Sequence, residues 1–315
     1  LQASANAEAP GAPAELASLA ADPEVAEALA RLAAWDFSTP TGIPEGYDAS
    51  DVGGTRDPEV SPAEAAASVA ATLYNVWRAH ALGNTIIRAL RAIGVGSDFL
   101  PTGNIQLRSL QHLLSQDPFT GLGASGVDFF PEPSGLSAEE RRDVVLLEAL
   151  RDALDDLASS RYAHAFAGST DQDDYRWGRL NRALFPHPLG APYSTPPGYF
   201  FEDLAENLPG LPRDGGNETV SPTGVGMRVS GAHAFESSFG SASRLVMVAG
   251  NPEGGAAPVV GWNAMPGGAS GYPFSPFRES QLGIWLTADH HPILTLESEV
   301  SASAYAEEQF VPPAP

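Results

Sequence analysis

Apolar residues recur at helical spacing in three stretches of the first half of the chain, and each stretch opens on a residue able to cap a helix. Asp22 precedes Pro23, and Val25, Leu29 and Leu32 then fall on one face, which predicts a helix with proline in its first turn. Ser61, Pro62, Ala63 and Glu64 predict a second start: the serine hydroxyl caps the amide three residues on and the glutamate reaches back. Val69, Leu73 and Val76 form its buried stripe. The third helix opens at Ser137 and Glu140, carries Val144, Leu147, Leu150, Leu154 and Leu157, and ends near Ser160. A looser helix over Ile105 to Gln116 stops at Asp117 and Pro118.

Between the first two helices, Asp36 to Val60 is rich in Gly, Pro and acids, and is longer than compact domains usually leave without regular structure. Its carboxylates at Asp36, Glu45, Asp48, Asp51, Asp57 and Glu59 are chemically able to hold Ca²⁺ but lack the spacing of an EF-hand loop. From about residue 165 helical periodicity fades, and short β-prone runs appear at Val225 to Val229, Arg244 to Ala249 and Ile293 to Leu296. The pattern therefore predicts a helical region over 1–165 and a strand-rich region over 166–315, an α+β class.

Composition removes whole kinds of chemistry. There is no Cys, so thiol nucleophiles, Cys-ligated metals and disulfides are excluded. All 17 basic residues are Arg, so Lys-dependent Schiff-base and Walker-type chemistry is excluded too. The net charge of −22 disfavours binding to nucleic acid or anionic lipid. No apolar run approaches the length needed to span a bilayer. The chain begins at Leu1 rather than Met, which fits a processing product or a fragment.

Several motifs read as structure rather than chemistry. GLGASG at 121–126 satisfies G-x-G-x-x-G but follows Asp117 and Pro118 instead of a strand, and leads into VDFFPEP instead of a helix. Neither Ser125 nor Ser270 has Gly at both flanking second positions, as a nucleophile elbow requires. Adjacent acids such as Asp155 with Asp156 are expected by chance among 39 carboxylates, so a glycosidase using such a pair is a rival without specific support. Trp177 and Trp285 read as core anchors.

Two longer stretches are informative: DDYRWGRLNRALFPHPLG at 173–190 and GGASGYPFSPFRESQLGIWL at 267–286. They resemble signatures of the penicillin acylase family, a Trp-Gly-Arg element followed by His-Pro and a Gly-Ser-Gly, Ser-Pro, Gln, Trp element. GGNETVSP at 215–222, GMRV at 226–229, LQAS at 1–4 and LAAWD at 32–36 match further landmarks in the same order. The matching positions are Trp177, Gly178, Arg179, His187, Arg228, Gly268, Ser270, Gly271, Ser275, Pro276, Gln281 and Trp285. One departure is that Ser275 and Pro276 are followed by Phe277 and Arg278, where relatives commonly carry His-Tyr, so any role tied to that His lacks its usual side chain.

The resemblance implies an Ntn-hydrolase, an αββα sandwich in which a Ser freed by autoproteolysis attacks an amide carbonyl and its own α-amino group serves as base. Leu1 offers no such hydroxyl, so the resemblance implies the C-terminal part of the large subunit, working with the small subunit and the preceding part of the large one. It implies a small-molecule amide substrate and export to the periplasm or outside the cell. It implies no cofactor, and is compatible with a structural Ca²⁺ ion in the full enzyme. Some relatives orient a catalytic group with a carboxylate on the strand matching GMRVSGAH; this chain has His233 there, a candidate by placement alone. The alternative is a non-catalytic acidic binding or scaffold protein that keeps the fold.

Overall fold

The structure, a computed structural model, describes residues 1–196, 210–217, 219–224, 226, 231, 234–237, 240–241, 243–248 and 260–304. Both helices and strands are present, giving an α+β protein. Two compact units divide the chain, one from residues 1–51 and 56–240, the other from 52–55 and 241–315.

In the first unit, helices begin where the capping chemistry places them. After α1 (Gln2–Ala7) and α2 (Ala14–Ala21), Asp22 accepts from the amides of Glu24 and Val25 to start α3 (Pro23–Ala34). Helix α4 (Pro62–Leu82) has a complete capping box: Ser61 Oγ accepts from Glu64 N at 3.2 Å while the Glu64 carboxylate accepts from Ser61 N at 2.9 Å. A single π turn over Gly83–Ile87 carries that helix on into α5 (Arg88–Ala92), an extension the sequence pattern does not reveal. Helix α6 (Asn104–Leu114) matches the looser predicted stretch, and α7 (Ala138–Leu157) repeats the capping box with Ser137 and Glu140. A short α8 (Ala163–Phe166) follows.

Helix α4 is the hub of this unit. Its central residues are buried on nearly every side, because the Ala-rich stretch from Ala65 to Ala71 lets neighbours approach closely. Val69, Leu73 and Val76, the predicted stripe, are fully buried against Val144, Leu147, Leu150 and Leu154 of α7 and against Val25 of α3. A second cluster joins Leu82 and Ile86 to Leu107, Leu110 and Leu113 of α6 and to the edge-on ring pair Phe119 and Phe130. Beyond α8, regular strands among the described residues of this unit are short: β1 (Arg182–Ala183) pairs antiparallel with β2 (Leu211–Pro212).

The second unit is a three-stranded antiparallel sheet in the order β3 (Arg244–Val248), β4 (Val260–Ala264), β5 (His291–Ile293), with short helices α9 (Leu282–Leu286) and α10 (Glu297–Ser303). Strand β3 agrees with the predicted run. The run predicted at Ile293 to Leu296 is displaced: β5 ends at Ile293, because pairing sets Gly261, Trp262 and Asn263 opposite Ile293, Pro292 and His291. Strand β4, VGWNA, has no sequence signal, since Gly and Asn are poor strand formers and only its pairing on both sides makes it a strand. The run predicted at Val225 to Val229 lies outside the described residues apart from Gly226, which is not in a strand. Among the described residues no helix is long and apolar enough to cross a membrane.

Truncating the hub and removing a cap should differ in scale. Leu73→Ala, at a fully buried position, is expected to cost about 2–5 kcal/mol. Ser61→Ala should cost about 1 kcal/mol. Chemical denaturation of the two variants side by side checks both values and their order.

Candidate functional site

The Trp-Gly-Arg motif forms a tight 3-10 turn, Trp177–Arg179, seated against the start of α4. Ser68, fully buried in α4, joins two segments through one hydroxyl: it donates to Thr41 O at 2.7 Å and accepts from Trp177 N at 2.7 Å. Gly178 N also donates to Thr41 O, at 2.9 Å. A Cβ on Gly178 would lie 2.7 Å from Thr41 Cβ, so the close approach of the two segments requires glycine. Trp177 is fully buried, packs edge-on against Phe235 and donates its indole N–H to Gly215 O at 2.7 Å.

The same turn reaches the GGNET segment through Asn181, whose side-chain amide donates to the carbonyls of Arg213, Asp214 and Gly215. Arg182 donates to Gly178 O and Gly210 O, at 3.0 and 3.1 Å, and burial pushes its guanidinium down to about 10, still charged at neutral pH. Arg179, the last residue of the turn, is half-buried. The turn and the residues that follow it thus form a clasp in which the side-chain donors of Trp177, Asn181 and Arg182 are spent on backbone carbonyls.

What the clasp holds is the long loop from Asp36 to Val60, which has no regular element between α3 and α4. Tyr47 bridges to Arg213, and Thr41 donates through N and Oγ1 to the two Asp48 oxygens, both at 2.6 Å. Asp51 accepts from the amides of Asp48 and Asp57, so the carboxylates act as internal staples. Asp48, Asp51, Asp57, Glu59 and Glu64 line a cavity of 430 Å³. Burial pushes the Asp48 carboxyl up; the Thr41 hydrogen bonds oppose this, and the nearby charges of Asp51 and Glu64 add to it. Among the described residues no group of three or more His, Asp or Glu side chains is set to hold a metal ion.

The second signature performs comparable work in the other unit. Trp285 is fully buried, donates its indole N–H to Ser241 O at 2.8 Å, and has the Arg244 guanidinium 5.3 Å from its ring centroid. Gln281 accepts from Met265 N through its side chain and donates from its own N to Gly267 O. A Cβ on Gly268 would lie 2.1 Å from Phe277 O, which fixes glycine there. Ser270 and Ser275 accept from the amides two residues on, Tyr272 and Phe277, as local turn caps. Gly271 and Pro276 are exposed.

Of the remaining sequence candidates, His187 holds a turn, its Nδ1 accepting from Leu189 N at 3.1 Å beside the Tyr193 ring. Arg228 and His233 lie outside the described residues. Thr41, Ser68 and Asn181 carry the clasp without any sequence signal of their own, because a single polar residue inside an apolar helix or beside a motif looks like many others. Only Asn181, four residues after Trp177, was within reach of a motif-based reading.

A family model described as penicillin amidase matches residues 2–302, nearly the whole chain. No curated protein matches it.

Removing the Ser68 hydroxyl leaves Trp177 N buried without a partner, whereas Thr41 O keeps the bond from Gly178. Ser68→Ala should therefore cost about 1–3 kcal/mol, and Gly178→Ala more, by denaturant titration. Titration followed by carboxyl ¹³C NMR should place the Asp48 midpoint above the usual value of about 4. Asp156 should titrate below it: burial raises that carboxyl, but the bonds from His80 and Arg161 outweigh burial. The signs for stability are opposite. Asp156 contributes stability that is present above its unfolded value and lost as pH falls through its lowered folded value, while the burial penalty of Asp48 sets in as pH rises from its unfolded value to its raised one.

Proposed function

The chain belongs to the penicillin amidase family, whose chemistry is hydrolysis of amide C–N bonds, and from that premise we propose that it is the C-terminal part of the large subunit of such an enzyme. The observation that carries this reading is the match over residues 2–302, joined to the structural character of the motif residues within it. Trp177, Gly178, Gly268, Gln281 and Trp285 fix backbone paths and present no acid, base or nucleophile to a reacting group.

On this reading the attacking Ser lies on a neighbouring segment, outside the chain. Its α-amino group takes the hydroxyl proton as the oxygen adds to the amide carbonyl, and the same proton goes to the leaving amine; water then releases the acyl group. The substrate is an acylated small molecule, no cofactor takes part, and any Ca²⁺ ion of the full enzyme is structural. The second unit completes an αββα sandwich. Exposed β3 supports this: Leu245, Val246, Met247 and Val248 are 57, 47, 50 and 52 % exposed, on alternating sides of the strand, as expected of a sheet that another segment covers. The small subunit and the preceding part of the large one are the covering partners, in an exported enzyme of the periplasm or cell exterior.

The test is hydrolysis of a panel of acylated amides, short-chain, long-chain and aromatic, by the full enzyme and by this chain alone. The full enzyme should cleave at least one, lose that activity when the proposed Ser on the neighbouring segment is replaced by Ala, and the chain alone should show none. Full-rate cleavage by the isolated chain would overturn the reading. No cleavage of any amide by the full enzyme would favour a scaffold that keeps the fold without the chemistry.

A further inference from the structure

A cleft of 700 Å³ opens in the first unit among α1, α3, α4, α6 and α7. That volume falls in the range of about 300–1,000 Å³ typical of small-molecule sites. One side is a row of rings: Phe37 on Trp35, Trp35 on Tyr74, Tyr74 on Trp77, with centroids 5.3, 5.4 and 5.7 Å apart and each pair tilted. Much of the remaining lining is leucine, including Leu29, Leu32, Leu107, Leu114 and Leu146.

Two features of the lining define what fits. The Trp35 indole N–H is committed to Ser38 O at 2.7 Å and that of Trp77 to Leu146 O at 3.0 Å, so the indoles offer a ligand only ring surface. Asp143, the one carboxylate of the lining, is already engaged: Arg142 bonds one oxygen at 2.8 Å, Asn6 bonds the other at 2.5 Å, and the Leu1 α-amino group lies near it, while Arg78 lies over the Tyr74 ring with partners of its own. An ionised group buried against this ring and leucine lining would give up its hydration, so the lining favours an uncharged ligand body.

A third, independent feature concerns Phe37. It sits at φ +67, a left-handed conformation that a bulky L residue rarely adopts, yet its side chain is 79 % exposed. The Trp35 ring is its one aromatic neighbour among the described residues, and burial does little to offset that strain. An apolar occupant lying along the ring row would cover Phe37 and supply the missing contact.

We propose that this cleft binds an uncharged apolar small molecule, with an aromatic ring lying against Phe37, Trp35, Tyr74 and Trp77. The site is independent of amide hydrolysis and of where the nucleophile lies, so its test does not stand or fall with that reading.

Titrating the uncharged fluorophore N-phenyl-1-naphthylamine into the full enzyme and into this chain, with energy transfer from tryptophan as the signal, tests it. Saturable one-to-one binding is expected in both. Phe37→Ala and Leu114→Gln should each weaken it about fivefold or more. Phe37→Gly should weaken binding as much while raising the thermal midpoint, since glycine relieves the backbone strain; this separates a ligand contact from a fold contact. Naphthalene should displace the probe at lower concentration than 1-dodecanol does. The proposal is overturned by non-saturable binding, by binding that ignores all cleft variants but is lost on Val246→Gln in the exposed sheet, or by better displacement with dodecanol. Binding to the isolated chain that vanishes in the full enzyme would overturn it too, because another protein segment would then fill the cleft.

Discussion

One hydroxyl group organises the first unit. Ser68 is the point at which α4, the long acidic loop and the Trp-Gly-Arg turn meet, and it serves as donor to one and acceptor to the other while fully buried. A buried hydroxyl can do this only if both of its bonds are made, because an unmet amide or carbonyl in such surroundings costs more than the bond itself contributes. The geometry around it is accordingly over-determined. Thr41 O receives a second bond from Gly178 N, Asp48 takes both Thr41 donors, and Trp177 continues the chain of bonds to Gly215. An acidic loop of this length would be costly to order by apolar packing alone; here its own carboxylates and one serine supply the order.

Helix α4 makes the clasp possible by being small-sided where it must be approached and large-sided where it must fill space. Ala65 to Ala71 lets the loop and the motif turn come close, and Arg176 uses that proximity to donate to Ala65 O at 2.7 Å. Leu73 and Val76, further along, fill the space between α3 and α7. The switch from alanine to branched residues within one helix therefore divides its labour between backbone recognition and core volume. The capping box at Ser61 and Glu64 fixes where the helix starts, and so where along it Ser68 emerges.

How much of this was legible in the sequence depends on whether the signal was local. Capping boxes and three-four spacing place the starts of α3, α4 and α7, because a cap satisfies amides within its own turn, whereas α7 ends at Leu157, short of the predicted Ser160. The strand β4 and the displacement of β5 are set by pairing with other strands, and nothing in VGWNA announces a strand. The same rule governs the site. Trp177, Gly178, Gly268 and Trp285 stand out as motif positions, whereas Thr41 and Ser68, 27 residues apart, acquire their role only when the fold makes them neighbours. Motif resemblance identified the family; it could not distinguish residues that react from residues that hold.

That distinction bears on how a family signature should be understood. Glycine at 178 and 268 is fixed by close backbone approach, and tryptophan at 177 and 285 by the coincidence of a large buried ring with a carbonyl placed to accept its N–H. Such positions tolerate little change for reasons of space and hydrogen bonding alone, whatever chemistry the assembled protein performs. A signature built from them persists as long as the backbone path persists. Chemistry requires a different kind of group, one whose polar atoms are left uncommitted and aimed at open space, and the clasp is the reverse of this: Ser68, Asn181 and the Trp177 indole have each given their hydrogens to backbone carbonyls. The described motif residues therefore specify a platform, a set of backbone paths held by buried hydrogen bonds and close packing.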